Sequence, residues 1–291
     1  MVIKNEVKEK YEKSRKYFLE ILEHAKFITS EISSIDTSKC SKEPDIFGFI
    51  LFTRIYVFAE SISKILPKDI MSDDEYWDYN SIFSLTRNII DCSETLFYIC
   101  FDVNSRSNKL LRLAYLSLFE LNFWISYYQE TGEHKLKKTY IEIKKTALDE
   151  IEKSMFFKKL DNREAEIFKK GKSRIFGYYR NSLERKMNYI NIKTYKGTYK
   201  FFSACTHSFP PSLYPMAFRN HNSKEGMEAE IEYITTALLI CSVYCGQSAN
   251  NLINYVIKRI KFIYEQFSEE EKTKLQKISV RLDKITEICR I

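Results

Sequence analysis

Hydrophobic positions recur every three or four residues along most of the chain, and polar or proline-containing segments separate these runs. Such spacing is typical of amphipathic and buried helices. No alternation typical of a β-strand persists, so the sequence predicts an all-α protein. The predicted helices lie at 4–34, 45–66, 81–102, 106–131, 134–160, 195–207, 226–265 and 268–290, with a shorter helical piece that ends near residue 170.

The predicted architecture is a single irregular helical bundle of six to eight helices with terminal helical appendages. It divides into an N-terminal helix and loop at 1–44, a helical core domain at 45–265 and a C-terminal amphipathic helix at 266–291. The last helix carries an apolar stripe that is shorter than three heptads. Packing on the body of the protein and pairing with a second subunit therefore both stay open. The stripe comprises Leu275, Ile278, Leu282, Ile285 and Cys289.

Composition supports a compact helical protein. Only 7 glycines and 5 prolines occur among 291 residues, and 44% of the residues are hydrophobic, which is enough to bury a sizeable core. The seven cysteines form no CxxC pair and have no regular spacing. Most of them lie in apolar helical segments, which indicates reduced core thiols and a cytoplasmic location.

No membrane association is expected from the sequence. The first 18 residues have no apolar core of the signal-peptide type. The most apolar stretches are 46–59 and 234–246; Arg54 interrupts the first, and the second is short for a bilayer. Both stretches are therefore predicted to be buried helices.

The net charge of +7 comes from one part of the chain. Residues 135–186 contain 16 Lys and Arg against 8 Asp and Glu, a local excess of +8. A basic surface of this kind attracts nucleic acid, phosphate-bearing ligands or acidic proteins. Acidic residues interrupt the run, so a solvated helix face of mixed charge is the alternative. The candidate nucleic-acid-binding residues, which combine cations with aromatic rings, are Arg174, Tyr178, Tyr179 and Arg180.

Many common catalytic motifs are absent. The sequence contains no GxxxxGK[ST], GxGxxG or GxSxG motif, no HExxH and no Cys/His set with zinc spacing. The Arg-x(4–6)-His signature of basic helical ribonucleases is also missing, since no arginine precedes any histidine at that spacing. No metal ion or cofactor is therefore expected.

Two polar stripes interrupt otherwise apolar helices. In NSIFSLTRNIIDCSETLFYICFD, residues 80–102, Arg87 and Asp91 are four apart and Glu94 follows three later, so all three share a face. The second stripe consists of Tyr199, Ser203 and His207, which are four residues apart. It ends one turn before Pro210-Pro211. Buried charges need partners, and a phenol, a hydroxyl and an imidazole can provide them. The same groups can also bind an anion or transfer a proton.

Both stripes resemble the signatures of a large uncharacterised family of all-helical bacterial proteins. "TRNIIDCSETLFYI" is similar to its Arg-x-x-x-[Asp/Glu] helix, and "YKFFSACTHS" to its Tyr-x-x-x-Ser-x-x-x-His helix. The resemblance covers roughly residues 45–260. Members are similar in helical style to proteins encoded in bacterial anti-phage and toxin loci, which implies a defence-associated role by analogy of fold.

Two functions stay open at this point. In the first, the chain is a toxin-like effector acting on RNA or a nucleotide: Arg87 holds an anion, His207 is general acid or base, and Asp91 orients one of them. Tyr199, Ser203 and Glu94 then complete the ligand-binding site. In the second, the chain is a non-enzymatic sensor, inhibitor or scaffold. It then binds a protein partner or itself through the C-terminal helix, and the polar cluster is a structural network.

Overall fold

The computed structural model describes residues 4–34, 43–68, 70, 78–102, 106–155, 157–172, 180–206, 224–259 and 261–290. Within these ranges the chain forms eleven α-helices, one π-helical turn and one 3-10 turn, and no β-strand. The all-α prediction is confirmed, although the helices outnumber the six to eight expected.

The helices follow the predicted order. Their bounds are α1 Asn5–Ser34, α2 Glu43–Ile65, α3 Tyr79–Leu96, α4 Arg106–Glu130, α5 His134–Lys153, α6 Asn162–Lys170, α7 Arg180–Met187, α8 Ile192–Thr206, α9 Lys224–Arg259, α10 Lys261–Gln266 and α11 Glu269–Cys289. The π-helical turn, Phe97–Phe101, continues α3, and the 3-10 turn, Phe157–Lys159, lies between α5 and α6.

The helix count exceeds the prediction at two places: α7 lies where no single element was predicted, and the helix predicted over 226–265 corresponds to α9 and α10. The helix predicted over 134–160 ends at Lys153, where Ser154 adopts an extended backbone. Helix α6 is the shorter piece predicted to end near residue 170; it begins with a capping box between Asp161 and Glu164 and ends at Gly171, whose φ of 53° is left-handed. Residues 171–192, for which no single element was predicted, contain α7.

The terminal helices belong to the main hydrophobic core, contrary to the expectation of appendages. Helix α9 packs against α1, α3 and α11, and buried residues from all four helices form one continuous cluster. At Gly246 of α9 the approach is so close that an added Cβ would collide with the side chain of Thr286 in α11. The division into three segments stays a prediction, but the outer two segments share the core of the middle one.

The apolar stripe of α11 is covered by the chain itself. Leu275, Ile278, Leu282, Ile285 and Cys289 are all buried. They pack in the same core as α1 and α9. Because the chain itself covers this stripe, binding of a partner or a second subunit through the C-terminal helix stays a prediction and would use another face of α11.

Helices α4 and α5 form a hairpin at the edge of the molecule. Helix α5 lies along α4 and has no buried residue. Rings of the two helices pack on each other, and Phe123 and Tyr127 remain 57% and 46% exposed. The rings in this aromatic face are Phe123, Trp124, Tyr127, Tyr128 and Tyr140.

The end of α3 is tied to α4 and α7. Asp102, directly after the π-helical turn, has a fully buried carboxylate. Arg112 of α4 donates to it at 2.6 Å, and Lys186 of α7 forms an ion pair with its other oxygen. A buried carboxylate needs such partners, so this group fixes α4 and α7 relative to α3.

Two described helices are long and apolar enough to cross a bilayer by length and composition: Pro44–Ile65 and Gly226–Lys258. The most apolar window of the second is 72% buried inside the protein, as is usual for a core helix, whereas that of the first is 33% buried. Such helices alone are weak evidence for a membrane protein, and the absence of membrane association stays a prediction.

Candidate functional site on helices α3 and α8

Helices α3 and α8 run antiparallel and bring the two predicted stripes face to face. Ser84 donates to Thr206 at 3.3 Å at one end of the contact. Further along the contact, Arg87 meets Tyr199 and Glu94 meets Tyr195, so residue numbers rise on α3 as they fall on α8. Aromatic packing fixes this register, because Phe83 of α3 stacks on Phe202 of α8 with ring centroids 5.1 Å apart.

Arg87, Asp91 and Tyr199 form one hydrogen-bonded group. Arg87 Nε donates to the Tyr199 hydroxyl at 3.0 Å, and that hydroxyl donates to Asp91 Oδ1 at 3.3 Å. The Arg87 guanidinium also lies 5.4 Å from the centroid of the Tyr199 ring, within cation–π range. The phenol therefore links the two charged side chains that lie one turn apart on α3. All three residues are half-buried.

A second tyrosine–carboxylate pair lies one turn further along both helices. Tyr195 donates its hydroxyl to Glu94 Oε1 at 2.6 Å, and Glu94 is 0% exposed. Tyr244 of α9 lies close to this pair and donates to the buried carboxylate of Glu184. Burial, then the charges of Glu184 and Glu94, raise the pKa of Tyr244 well above its ordinary value. A ligand would have to displace Tyr195 to reach Glu94, so the position of Glu94 favours a structural role over the ligand-binding role predicted for it.

Ser203 lies on α8 one turn after Tyr199. Its Oγ is buried and has no hydrogen-bond partner among the described residues. A buried hydroxyl without a partner costs roughly 1–3 kcal/mol. A ligand bound beside Arg87 could supply the missing partner and recover part of that cost.

The remaining predicted site residues are not described by the structure. His207 directly follows α8 but lies outside the described residues, as do Arg174, Tyr178 and Tyr179. Arg180 is the first residue of α7, and nothing is described of its side chain. The catalytic role of His207 and the nucleic-acid-binding role of the other four therefore stay predictions.

Residues 45–226 match DUF5677, a family of unknown function. The chain belongs to this family. The match covers more than half of the 291 residues and includes both stripes. No curated protein and no solved structure matches the chain. The resemblance to an uncharacterised family is thus confirmed at that level, while a bacterial range and a defence context stay predictions.

This DUF5677 protein also has a groove on the other side of α3. The groove has a volume of about 410 Å³, lies between α2, α3 and α4, and includes Asp91 in its wall. Asp91 therefore faces both the Tyr199 contact and the groove. No short motif predicts this groove, because its lining comes from three separate helices. The other lining residues are Phe47, Leu51, Arg54, Phe58, Asn88, Cys92, Thr95, Leu116, Phe119, Glu120 and Phe123.

The buried cysteines offer no nucleophile. Burial raises the pKa of the Cys100 and Cys241 thiols to about 12, and that of Cys205 and Cys289 to about 11. It also raises the pKa of Cys245 well above the ordinary value. These thiols are protonated at neutral pH, and only the thiolate reacts readily. The described cysteines therefore form part of the core, as the sequence predicted, except for half-buried Cys92.

Alkylation of the native protein is expected to modify Cys92 first. With Cys40 replaced by serine, because it lies outside the described residues, Cys92 should react with iodoacetamide at least about tenfold faster than the five buried cysteines. Timed quenching and peptide mass spectrometry measure the rates. Equally fast modification of Cys100 or Cys241 would contradict the packing described for α3 and α9.

Proposed function

We propose that this DUF5677 protein is a toxin-like effector of a bacterial anti-phage or toxin system, and that it acts on RNA or a nucleotide at the α3–α8 site. One observation carries the proposal. The geometry joins Arg87, Tyr199 and Asp91 in a half-buried group, one turn from the unsatisfied hydroxyl of Ser203. These are the groups needed to bind and polarise an anionic substrate.

Arg87 is the proposed anion holder. Its Nε is bound to Tyr199, and its terminal nitrogens make no hydrogen bond to any residue in the described ranges. A guanidinium oriented in this way can donate two parallel hydrogen bonds to a phosphate. Because the group is half-buried, its charge is less screened than on an open surface. Asp91, through Tyr199, positions the guanidinium rather than touching the substrate.

Ser203 and His207 are the proposed partners of the reacting atoms. The Ser203 hydroxyl gains a partner when substrate binds, and it can donate to a phosphate oxygen. His207 follows it by four residues in the sequence and is the proposed general acid or base, a role that imidazole side chains commonly fill in enzymes. The lysine-rich helices α5 and α6 would draw a polyanion to the protein.

Replacing Arg87 by alanine tests the proposal. Inducible expression of the wild-type chain in a bacterial host is expected to arrest growth, with loss of intact RNA or depletion of a nucleotide pool. Arg87→Ala and His207→Ala are expected to relieve the arrest, whereas Arg185→Ala, which changes an exposed arginine on α7, retains it. Growth curves, RNA electrophoresis and nucleotide chromatography provide the measurements, with immunoblots to match expression levels.

A harmless wild-type chain at matched expression would contradict an intrinsic toxic activity. Arrest that persists in Arg87→Ala would show that the α3–α8 group is not responsible. The first result would favour the alternative, a non-enzymatic sensor, inhibitor or scaffold. The exposed aromatic face of α4 is the observation that supports this alternative, since exposed aromatic patches are frequent protein-binding sites. Co-purification of a protein partner that Phe123→Ala abolishes would establish it.

A further inference from the structure

We infer that the groove between α2, α3 and α4 is a binding site for a nucleoside monophosphate. The inference does not depend on the activity proposed above, because its test measures binding alone. A groove of about 410 Å³ is within the range usual for small-ligand sites. Three features of its wall define the ligand: aromatic faces, a polar row and one arginine.

The aromatic faces lie on two sides of the groove. Phe47 and Phe58 come from α2, and Phe119 and Phe123 come from α4. None of these four rings is fully buried, and all four line the groove. Flat aromatic side chains of this kind are the usual stacking partners of nucleobases. Stacking favours a planar aromatic ligand over a flexible aliphatic one.

The polar row lies on α3 at the back of the groove. Asn88, Asp91 and Thr95 follow each other at three- and four-residue spacing, so they share one face of the helix. An amide side chain matches the paired donor and acceptor on the edge of a purine. A carboxylate accepts from an exocyclic amino group or a ribose hydroxyl. The row therefore recognises a ring with polar edges rather than a purely apolar ring.

Arg54 gives the groove its cation. The side chain is exposed on α2, lies 5.5 Å from the Phe58 ring centroid, and forms no ion pair within the described part of the chain. A guanidinium held against a ring in this way is ready to bind a phosphate. Glu120, on α4, is the acid in the opposite wall. The charges thus place the phosphate on the α2 side and the base toward α4.

Calorimetric titration of the full-length chain tests the inference. The probes are the four ribonucleoside 5′-monophosphates, and at least one should bind with a Kd between about 1 µM and 1 mM. Phe123→Ala is expected to weaken that binding at least about tenfold. Tyr127→Ala is the matched control, because Tyr127 stacks on Phe123 and is similarly exposed but does not line the groove. Binding to this control should be unchanged.

Two further measurements locate the ligand. Arg54→Ala should weaken binding of the monophosphate at least about tenfold while leaving binding of the corresponding nucleoside unchanged. The bound nucleotide should also slow alkylation of Cys92, which lines the groove.

Failure of all four nucleotides to bind at about 1 mM would overturn the inference. So would binding that neither Phe123→Ala nor Arg54→Ala weakens. Neither variant changes Arg87, Tyr199 or Ser203, so a negative result leaves the growth experiment unaffected.

Discussion

Tyr199→Phe is expected to abolish the growth arrest proposed for this DUF5677 protein. The phenyl ring keeps its packing beside Arg87, but the variant lacks the hydroxyl that joins Arg87 to Asp91. Removing one positioned hydrogen bond at a reacting site typically costs at least about a hundredfold in rate. Because Tyr199, Arg87 and Asp91 are all half-buried, water can replace the lost hydrogen bonds, and the melting temperature should change by no more than about 1 °C.

Tyr233→Phe is the matched control for this change. Tyr233 lies on the neighbouring helix α9, packs its ring on Phe201 of α8, and its hydroxyl has no partner among the residues that the structure describes. This variant should arrest growth as strongly as wild type. Retained arrest in Tyr199→Phe, at equal expression, would remove the hydroxyl from the proposed site. Colony counts after induction and thermal melts of both purified variants decide the question.

Tyr195→Phe is expected to have the opposite effect. The variant should be less stable than wild type but should keep the proposed growth arrest. The change removes the hydrogen bond to a fully buried carboxylate, that of Glu94. Hydrogen bonds to buried charged groups are worth about 2 kcal/mol, and the charge left behind still has to be accommodated. The free energy of unfolding should fall by that amount, which for a chain of 291 residues lowers the melting temperature by roughly 3 °C.

Urea unfolding followed by circular dichroism measures this loss. In the Tyr195→Phe background, Glu94→Gln should restore part of the lost stability, because a neutral amide costs less to bury than a carboxylate that has lost one of its hydrogen-bond donors. Equal destabilisation by Tyr195→Phe and Tyr199→Phe would indicate that both tyrosines are structural. The two substitutions therefore separate the interior pair from the candidate site using the same change one helical turn apart.

Local pattern was enough to predict most helices. The long periodic segments at α1, α4 and α11 were predicted within one or two residues of their observed bounds. A polar line on an apolar helix needs polar partners, which the sequence offers without deciding between them. The structure brings Arg87 and Asp91 of one line to Tyr199 of the other. The same argument extends to Tyr195, which lies four residues before Tyr199 on the same line, but a line that begins at Tyr199 leaves it out.

Other features depend on tertiary packing that no local pattern records. The stripe of α11 showed which face of the helix is apolar but not what covers it, and α1 and α9 cover it. The groove brings together Arg54, Asn88 and Phe123, which lie on three helices and belong to no short motif.

Helix α9 shows that a family boundary need not be a folding boundary. The residues matched by DUF5677 end at 226, just after α9 begins, yet α9 packs against α1, α3 and α11. A fragment trimmed to residues 45–226 would contain Arg87, Tyr199 and the groove lining while leaving the inner face of α3 without its cover. The matched region therefore holds the candidate site without the helix that supports it, so the part of the chain that carries a family signature is smaller than the part that has to fold together.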